Sequence, residues 1–135
     1  MKPNVIITSI LVILLLSVGC KPKSNCVSAG GGKGGSAIIT ITPKHIGLNV
    51  DSCTIYVKYG TLDAPTSGVY DDSQKVILVD TTPVAIFTHL KAGLYYFYGK
   101  GYHVPYSAYV KGGANYTMCS EHAETVYLPT YAYIP

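Results

Sequence analysis

Apolar and polar residues alternate with a period of two along much of the chain after residue 36. In one segment Cys53, Ile55 and Val57 alternate with Thr, Tyr and Lys neighbours, which is typical of a strand with one buried face. Similar strand-like segments, separated by turn-forming residues, occupy residues 37–42, 76–79, 84–88, 94–98, 106–111, 116–119 and 125–128. The pattern predicts an all-β fold, a single antiparallel β-sandwich of about seven strands over residues 37–135.

The first twenty residues follow a different pattern. Lys2 precedes an apolar run, residues 5–18, which ends in small residues and Cys20. A basic start, a short apolar run and a small-residue cleavage site are typical of a secretory signal peptide. The run is also shorter than the about 20 residues that a membrane span needs. A cysteine at the cleavage site is where bacterial lipoproteins receive their lipid. We therefore expect a signal peptide over residues 1–19 and lipidation, including palmitate, at Cys20.

Simple secretion with a free Cys20 is the alternative. Lys21 stands where an aspartate would signal retention in the inner membrane. The expected location is therefore the cell envelope, on the outer membrane, with the protein facing either the periplasm or the surface.

Glycine and serine dominate the segment that follows. Residues 30–32 and 34–35 are all Gly, and Ser occurs at positions 24, 28 and 36. Such a composition is typical of a flexible linker, and we expect residues 20–36 to form a lipidated tether. A phosphate-binding loop is the other interpretation, but it needs Ser or Thr directly after its lysine, and Gly34 follows Lys33.

Four cysteines occur, at positions 20, 26, 53 and 119. If Cys20 carries lipid, three thiols remain in an oxidising compartment, and one disulfide with one free thiol is the simplest outcome. Spacing alone does not decide among the three pairings. We predict a bond between Cys53 and Cys119, because both lie in strand-like segments that a sandwich could bring together.

One stretch carries a more specific pattern. Phe87, Leu90, Gly93 and Tyr95 follow one another at spacings of three, three and two. We expect Phe87 and Leu90 to be buried, Gly93 to take a backbone angle that other residues resist, and the Tyr95 hydroxyl to cap a backbone group. The stretch resembles the corner of transthyretin-like sandwiches, such as carboxypeptidase regulatory-like and collagen-adhesin B-type domains. The mature chain is also similar to small bacterial lipoproteins, a likeness that implies location and architecture rather than chemistry.

Tyrosine is the outlier of the composition, with 13 copies against two Phe and no Trp. Side chains alternate along a strand, so Tyr96 and Tyr98 should face away from Tyr95 and Phe97. An exposed tyrosine face could hold sugar rings or a protein partner, whereas cross-strand packing that only stabilises the sheet is the alternative. The candidate ligand-binding residues are Tyr96, Tyr98, Tyr102 and Tyr106.

Patterns of catalysis are missing from the sequence. No serine lies in a glycine-framed turn, and the seven acidic residues are scattered. We therefore expect no enzyme and no cofactor. The polar loop over residues 60–73 is a candidate for function because of its length, and its Asp71 and Asp72 should form a turn rather than a calcium site. We expect His45 to lie exposed in a loop.

The sequence thus predicts a lipid-anchored envelope protein whose β-sandwich is a non-catalytic binding or accessory module. One alternative is a surface glycan-binding lipoprotein that uses a tyrosine-rich sheet. A weaker one is a periplasmic metal-binding protein that uses Cys119, His122 and nearby carboxylates, although no second pair of ligands stands at a zinc-like spacing. The expected partners are the membrane, through the lipid, and another envelope protein or a glycan. Nucleic acid is excluded, because all ten basic residues are scattered lysines.

Overall fold

The computed structural model describes Cys26 and residues 29–135, and these residues form an all-β fold. The predicted signal peptide and Cys20 lie outside them. One short 3-10 helix, Val104–Tyr106, interrupts the strands. Within the described part of the chain, no helix is long and apolar enough to cross a membrane. The strands are β1 (Lys33–His45), β2 (Leu48–Asn49), β3 (Ser52–Tyr59), β4 (Asp72–Lys75), β5 (Ile77–Val79), β6 (Thr82–Leu90), β7 (Gly93–His103), β8 (Ala108–Met118) and β9 (Ala123–Tyr133).

The sheet nearly closes into a barrel. Its strand order is β4-β3-β7-β8-β9-β1-β6-β5, with β2 paired to β1. The two strands at the ends of this order, β4 and β5, are joined through Val76, whose N–H donates to the Cys53 carbonyl at 2.9 Å. The described residues form nine strands rather than about seven, because the short β2 and the polar β4 carry little apolar alternation. It is also not purely antiparallel, since β1 and β9 run parallel from Ile38↔Ala123 to His45↔Thr130.

The alternating apolar residues fill the interior, as predicted. Ile55 and Val57 of β3 are fully buried, and each fully buried side chain of this size stabilises the fold by about 1.5–3 kcal/mol. The other large side chains of the core are Ile39, Ile41, Val50, Phe87, Leu90, Tyr95, Phe97, Met118 and Leu128.

The corner between β6 and β7 has the predicted geometry. Phe87, Leu90 and the Tyr95 ring are completely buried. The Tyr95 hydroxyl donates to the Lys91 carbonyl and accepts the Gly32 N–H at 3.0 Å. Burial raises the pKa of Tyr95, although these hydrogen bonds oppose the shift. The corner is therefore fixed by a buried hydroxyl that links it to the glycine-rich segment.

That link corrects part of the predicted tether, because Gly30, Gly32 and Lys33 pair with the corner of the domain. The predicted tether residues 20–25, 27 and 28 lie outside the described residues. The Gly30 carbonyl accepts the Leu94 N–H at 2.9 Å, and the Gly32 carbonyl accepts the Lys91 N–H at 2.8 Å. Backbone hydrogen bonds rather than side-chain contacts thus hold this segment in place, and the absence of Cβ atoms lets two main chains approach closely. Strand β1 accordingly begins at Lys33, before the predicted boundary at residue 37.

The disulfide prediction was wrong, since Cys119 is bonded to Cys26 and Cys53 is a buried free thiol. Cys53 lies opposite Gly101, whereas Cys119 follows Met118, which lies opposite Gly93. Eight residues along β7 correspond to about 27 Å, far beyond the separation of about 7 Å that a disulfide tolerates. The two cysteines are in strand-like segments, as expected, but at opposite ends of the barrel.

Candidate functional site

Strand alternation turns one set of tyrosines and lysines outwards on β3, β7, β8 and the end of β9. On β7, Tyr95 and Phe97 are buried while Tyr96 and Tyr98 lie on the outer side and are half-buried, as predicted. Together these strands form a surface that we call the tyrosine–lysine face. Its members are Tyr56, Tyr70, Lys75, Tyr96, Tyr98, Lys100, Tyr102, Tyr109, Lys111, Tyr131 and Tyr133.

One row of this face consists of three tyrosines near the far end of the barrel from the corner. Tyr102 lies opposite Tyr109 on the neighbouring strand, and Tyr109 lies opposite Tyr133. The ring centroids of the two pairs are 5.1 and 6.3 Å apart, which is within the range of favourable aromatic contacts. The row therefore forms a continuous aromatic strip across three strands.

A second group of tyrosines lies four residues further along β7. Tyr56 and Tyr98 are directly opposite each other, with ring centroids 6.2 Å apart. Tyr70, from the polar loop, stacks on Tyr98 at 5.7 Å and lies 5.5 Å from Tyr56. Burial is the main cause that raises the pKa of both Tyr70 and Tyr98. The predicted functional loop thus contributes an aromatic ring to this face.

A glycine on β8 creates the space for the next tyrosine. Tyr96 lies with its hydroxyl above Gly113, where any Cβ atom would overlap the phenol. The ring is therefore laid across the sheet rather than standing away from it. A side chain at position 113 would displace Tyr96 and change the shape of the face.

Lysines separate the two groups of tyrosines. Lys75 lies opposite Thr54, Thr54 opposite Lys100, and Lys100 opposite Lys111. An open groove of about 600 Å³ runs between this lysine row and the tyrosine strip. The Lys111 ammonium lies 4.5 Å from the centre of the Tyr133 ring, a cation–π contact that couples the two rows.

Tyr106 was predicted to bind the ligand together with Tyr96, Tyr98 and Tyr102, but it does not lie on the tyrosine–lysine face. It lies in the 3-10 helix at the end of the barrel, where its ring stacks on His103 at 5.1 Å. His45 is buried rather than exposed, and its Nδ1 lies 2.8 Å from Nδ1 of His103. The Tyr106 ring also lies 5.6 Å from His45, so it packs against both histidines.

The side chains that were candidates to bind a metal ion are engaged in other contacts. Cys119 is in the disulfide, and Nε2 of His122 lies 2.8 Å from Glu124, which raises the pKa of the imidazole. Among residues 26 and 29–135, no group of three His, Cys, Asp or Glu side chains is placed to hold a metal ion.

In the polar loop, the Asp71 carboxylate accepts the Tyr59 N–H and the Lys58 ammonium, and these bonds lower its pKa.

The sequence interpretation had identified Tyr96, Tyr98 and Tyr102, and these three lie along the same side of β7. It missed Tyr56 and Tyr70 as well as the whole lysine row. A usable signal was present in the β7–β8 hairpin, where paired positions have a constant sum. Tyr102 pairs with Tyr109 and Lys100 with Lys111 once the turn is placed at residues 104–107.

The likeness to transthyretin-like lipoproteins depends on the corner motif and on the β-rich body. Neither feature identifies a family by itself, so the likeness stays a prediction. No family model matches the chain, and no curated protein matches its sequence.

Proposed function

We propose that the protein is a lipid-anchored component of the cell envelope whose barrel is a non-catalytic glycan-binding module. The observation that carries the proposal is the pair of tyrosine groups on one outer face, Tyr102–Tyr109–Tyr133 and Tyr56–Tyr70–Tyr98. Tyrosine offers an apolar ring face together with a hydroxyl, and this combination suits ligands that are apolar on one side and polar at their edges. Sugar rings have this character.

The shape of the face also supports a polymer rather than a small molecule. The groove is open to solvent rather than a closed cavity, whereas small-molecule sites bury most of their ligand. The tyrosine groups are four residues apart on β7, or about 13–14 Å. A chain of several sugars can contact both groups at once, and each contact then raises the effective concentration for the next.

The anchor is the second part of the proposal. Lipid at Cys20 would hold the domain on the outer membrane, and several acyl chains make such attachment nearly permanent, since each buried methylene contributes about 0.8 kcal/mol. The described chain enters the barrel at the corner, where Gly30 contacts Leu94. The tyrosine–lysine face runs along the side of the barrel and is thus free to meet a ligand. We also propose that the β domain is related to transthyretin-like domains.

Replacing Cys20 by Ala is expected to release the protein from the membrane. The wild-type chain should incorporate radiolabelled palmitate and sediment with outer membranes, whereas Cys20→Ala should do neither, because no lipid is attached. Cys53→Ala is the matched control and should behave as the wild type, since Cys53 is buried in the barrel. Equal labelling of wild type and Cys20→Ala would refute the anchor.

Tyr98→Ala is expected to weaken glycan binding by about tenfold, because loss of a central aromatic contact typically costs more than 1 kcal/mol. Affinity electrophoresis against dextran, xylan and polygalacturonate measures the effect. Tyr127→Ala is the control, since Tyr127 is 65% exposed on β9 outside this face. Thermal melts show whether each variant is folded. If Tyr98→Ala and Tyr127→Ala bind the glycan with the same affinity, the tyrosine–lysine face is not the binding surface.

A further inference from the structure

The lysine row places like charges opposite each other. Lys100 and Lys111 lie directly opposite each other on adjacent strands, and both are exposed. Like charges in directly opposed positions destabilise a sheet. Lys75 continues the row on the other side of Thr54. Three positive charges therefore cross the face between the two tyrosine groups, and the cation–π contact of Lys111 with Tyr133 offsets only part of their repulsion.

The acids of the domain do not compensate for these charges. The ion pairs of the described residues join Lys33 to Asp72 and Lys58 to Asp71, while Glu124 pairs with His122. None of them involves the lysine row. Asp51 is the one acidic side chain among the residues that line the groove, and it lies beside Ser52 at the start of β3. The row is thus a concentration of positive potential within an aromatic surface.

We propose that the ligand of the tyrosine–lysine face is an acidic glycan, a sugar polymer that carries regularly spaced negative groups. The inference rests on the proposed function and names its ligand class. A polymer laid along β7 meets Tyr102, then Lys100, then Tyr98, each about 7 Å from the next. The sugar rings contact the tyrosines, and the anionic groups contact the lysine row. A lysine ammonium is a point charge that donates to carboxylate, sulfate or phosphate oxygens alike, so the shared requirement is negative charge on a sugar chain.

The test uses the full chain in detergent with two matched probes, polygalacturonate and its fully methyl-esterified form. They share one sugar backbone and differ in charge. Isothermal titration calorimetry at low and high salt should show that the acidic polymer binds more tightly and that salt weakens only this binding. The double variant Lys100→Gln/Lys111→Gln should bind polygalacturonate about tenfold or more weakly. The double variant and the wild type should bind the methyl ester with the same affinity, which is lower than that of the wild type for polygalacturonate.

Lys91→Gln is the matched control, because Lys91 is an exposed lysine at the corner and outside the face. It should retain wild-type affinity for polygalacturonate. An equal loss in Lys91→Gln and in the double variant would overturn the assignment to the lysine row. Equal wild-type affinity for the two polymers would overturn the acidic ligand while leaving glycan binding intact.

Two further outcomes separate the proposals. If neither polymer binds and a panel of phosphorylated and sulfated polysaccharides also fails, the proposed function and this inference both fall. Linear polyphosphate tests whether sugar rings matter. If it binds as tightly as polygalacturonate and Tyr98→Ala has no effect on either, the face is a general polyanion site and the acidic glycan is wrong.

Discussion

Removing the disulfide with the double variant Cys26→Ser/Cys119→Ser is expected to lower the free energy of unfolding by about 2–5 kcal/mol. The bond joins residues 93 positions apart, so it restricts the unfolded chain over most of the domain. It also holds the chain before the glycine-rich segment against the end of β8. Urea denaturation with and without dithiothreitol measures the effect, and the double variant should no longer respond to the reductant.

Cys53→Ala serves as the control for this prediction. It leaves the bond in place and removes one buried sulfur, so its own loss should be smaller and its response to dithiothreitol unchanged. Burial raises the pKa of the Cys53 thiol to about 11, which leaves almost no reactive thiolate at pH 8. Iodoacetamide should therefore label Cys53 only after unfolding. A Cys53→Ala variant insensitive to dithiothreitol would show that Cys53, and not Cys26, is the partner of Cys119.

Gly93→Ala is expected to lower the free energy of unfolding by about 2–5 kcal/mol. Gly93 has a φ of 150°, and a Cβ atom there would overlap the main chain of Gly30 and Gly31. The estimate combines backbone strain of about 1–2 kcal/mol with overpacking of about 1–3 kcal/mol. Urea denaturation of the oxidised protein at pH 7 measures it.

Gly47→Ala is the matched control, because Gly47 also has a positive φ, of 77°, but has no atom within 4 Å of its Cβ position. It carries the backbone strain alone and should lose only about 1–2 kcal/mol. If the two substitutions have equal effects, the glycine-rich segment does not pack against the corner. The sequence-based interpretation of this segment as a tether would then be right.

Local features of the fold could be predicted from the sequence because their causes are local. Strand alternation placed Tyr95 and Phe97 inside and Tyr96 and Tyr98 outside. The spacing from Phe87 to Tyr95 was sufficient to predict a corner in which the tyrosine hydroxyl caps the backbone. Each of these depends on residues within one strand or one turn.

Features that depend on how distant segments meet could not be predicted in this way. The partner of Cys119 follows from which ends of the strands coincide, and no spacing rule contains that information. The glycine-rich segment has few side chains, so its composition resembles a linker although Gly30 and Gly32 are hydrogen-bonded to the corner. The lysine row exists only through pairing at three strand interfaces, which places Lys75, Thr54, Lys100 and Lys111 in one line across the sheet.

The most direct test of the binding surface is lysine footprinting of the full chain with and without polygalacturonate. Acetylation by a brief pulse of acetic anhydride, followed by mass spectrometry, gives the modification rate of each lysine. We expect the acidic polymer to slow acetylation of Lys75, Lys100 and Lys111 at least severalfold while Lys91 reacts at its original rate. Unchanged rates in the lysine row at saturating polymer, or equal protection of Lys91, would contradict the account.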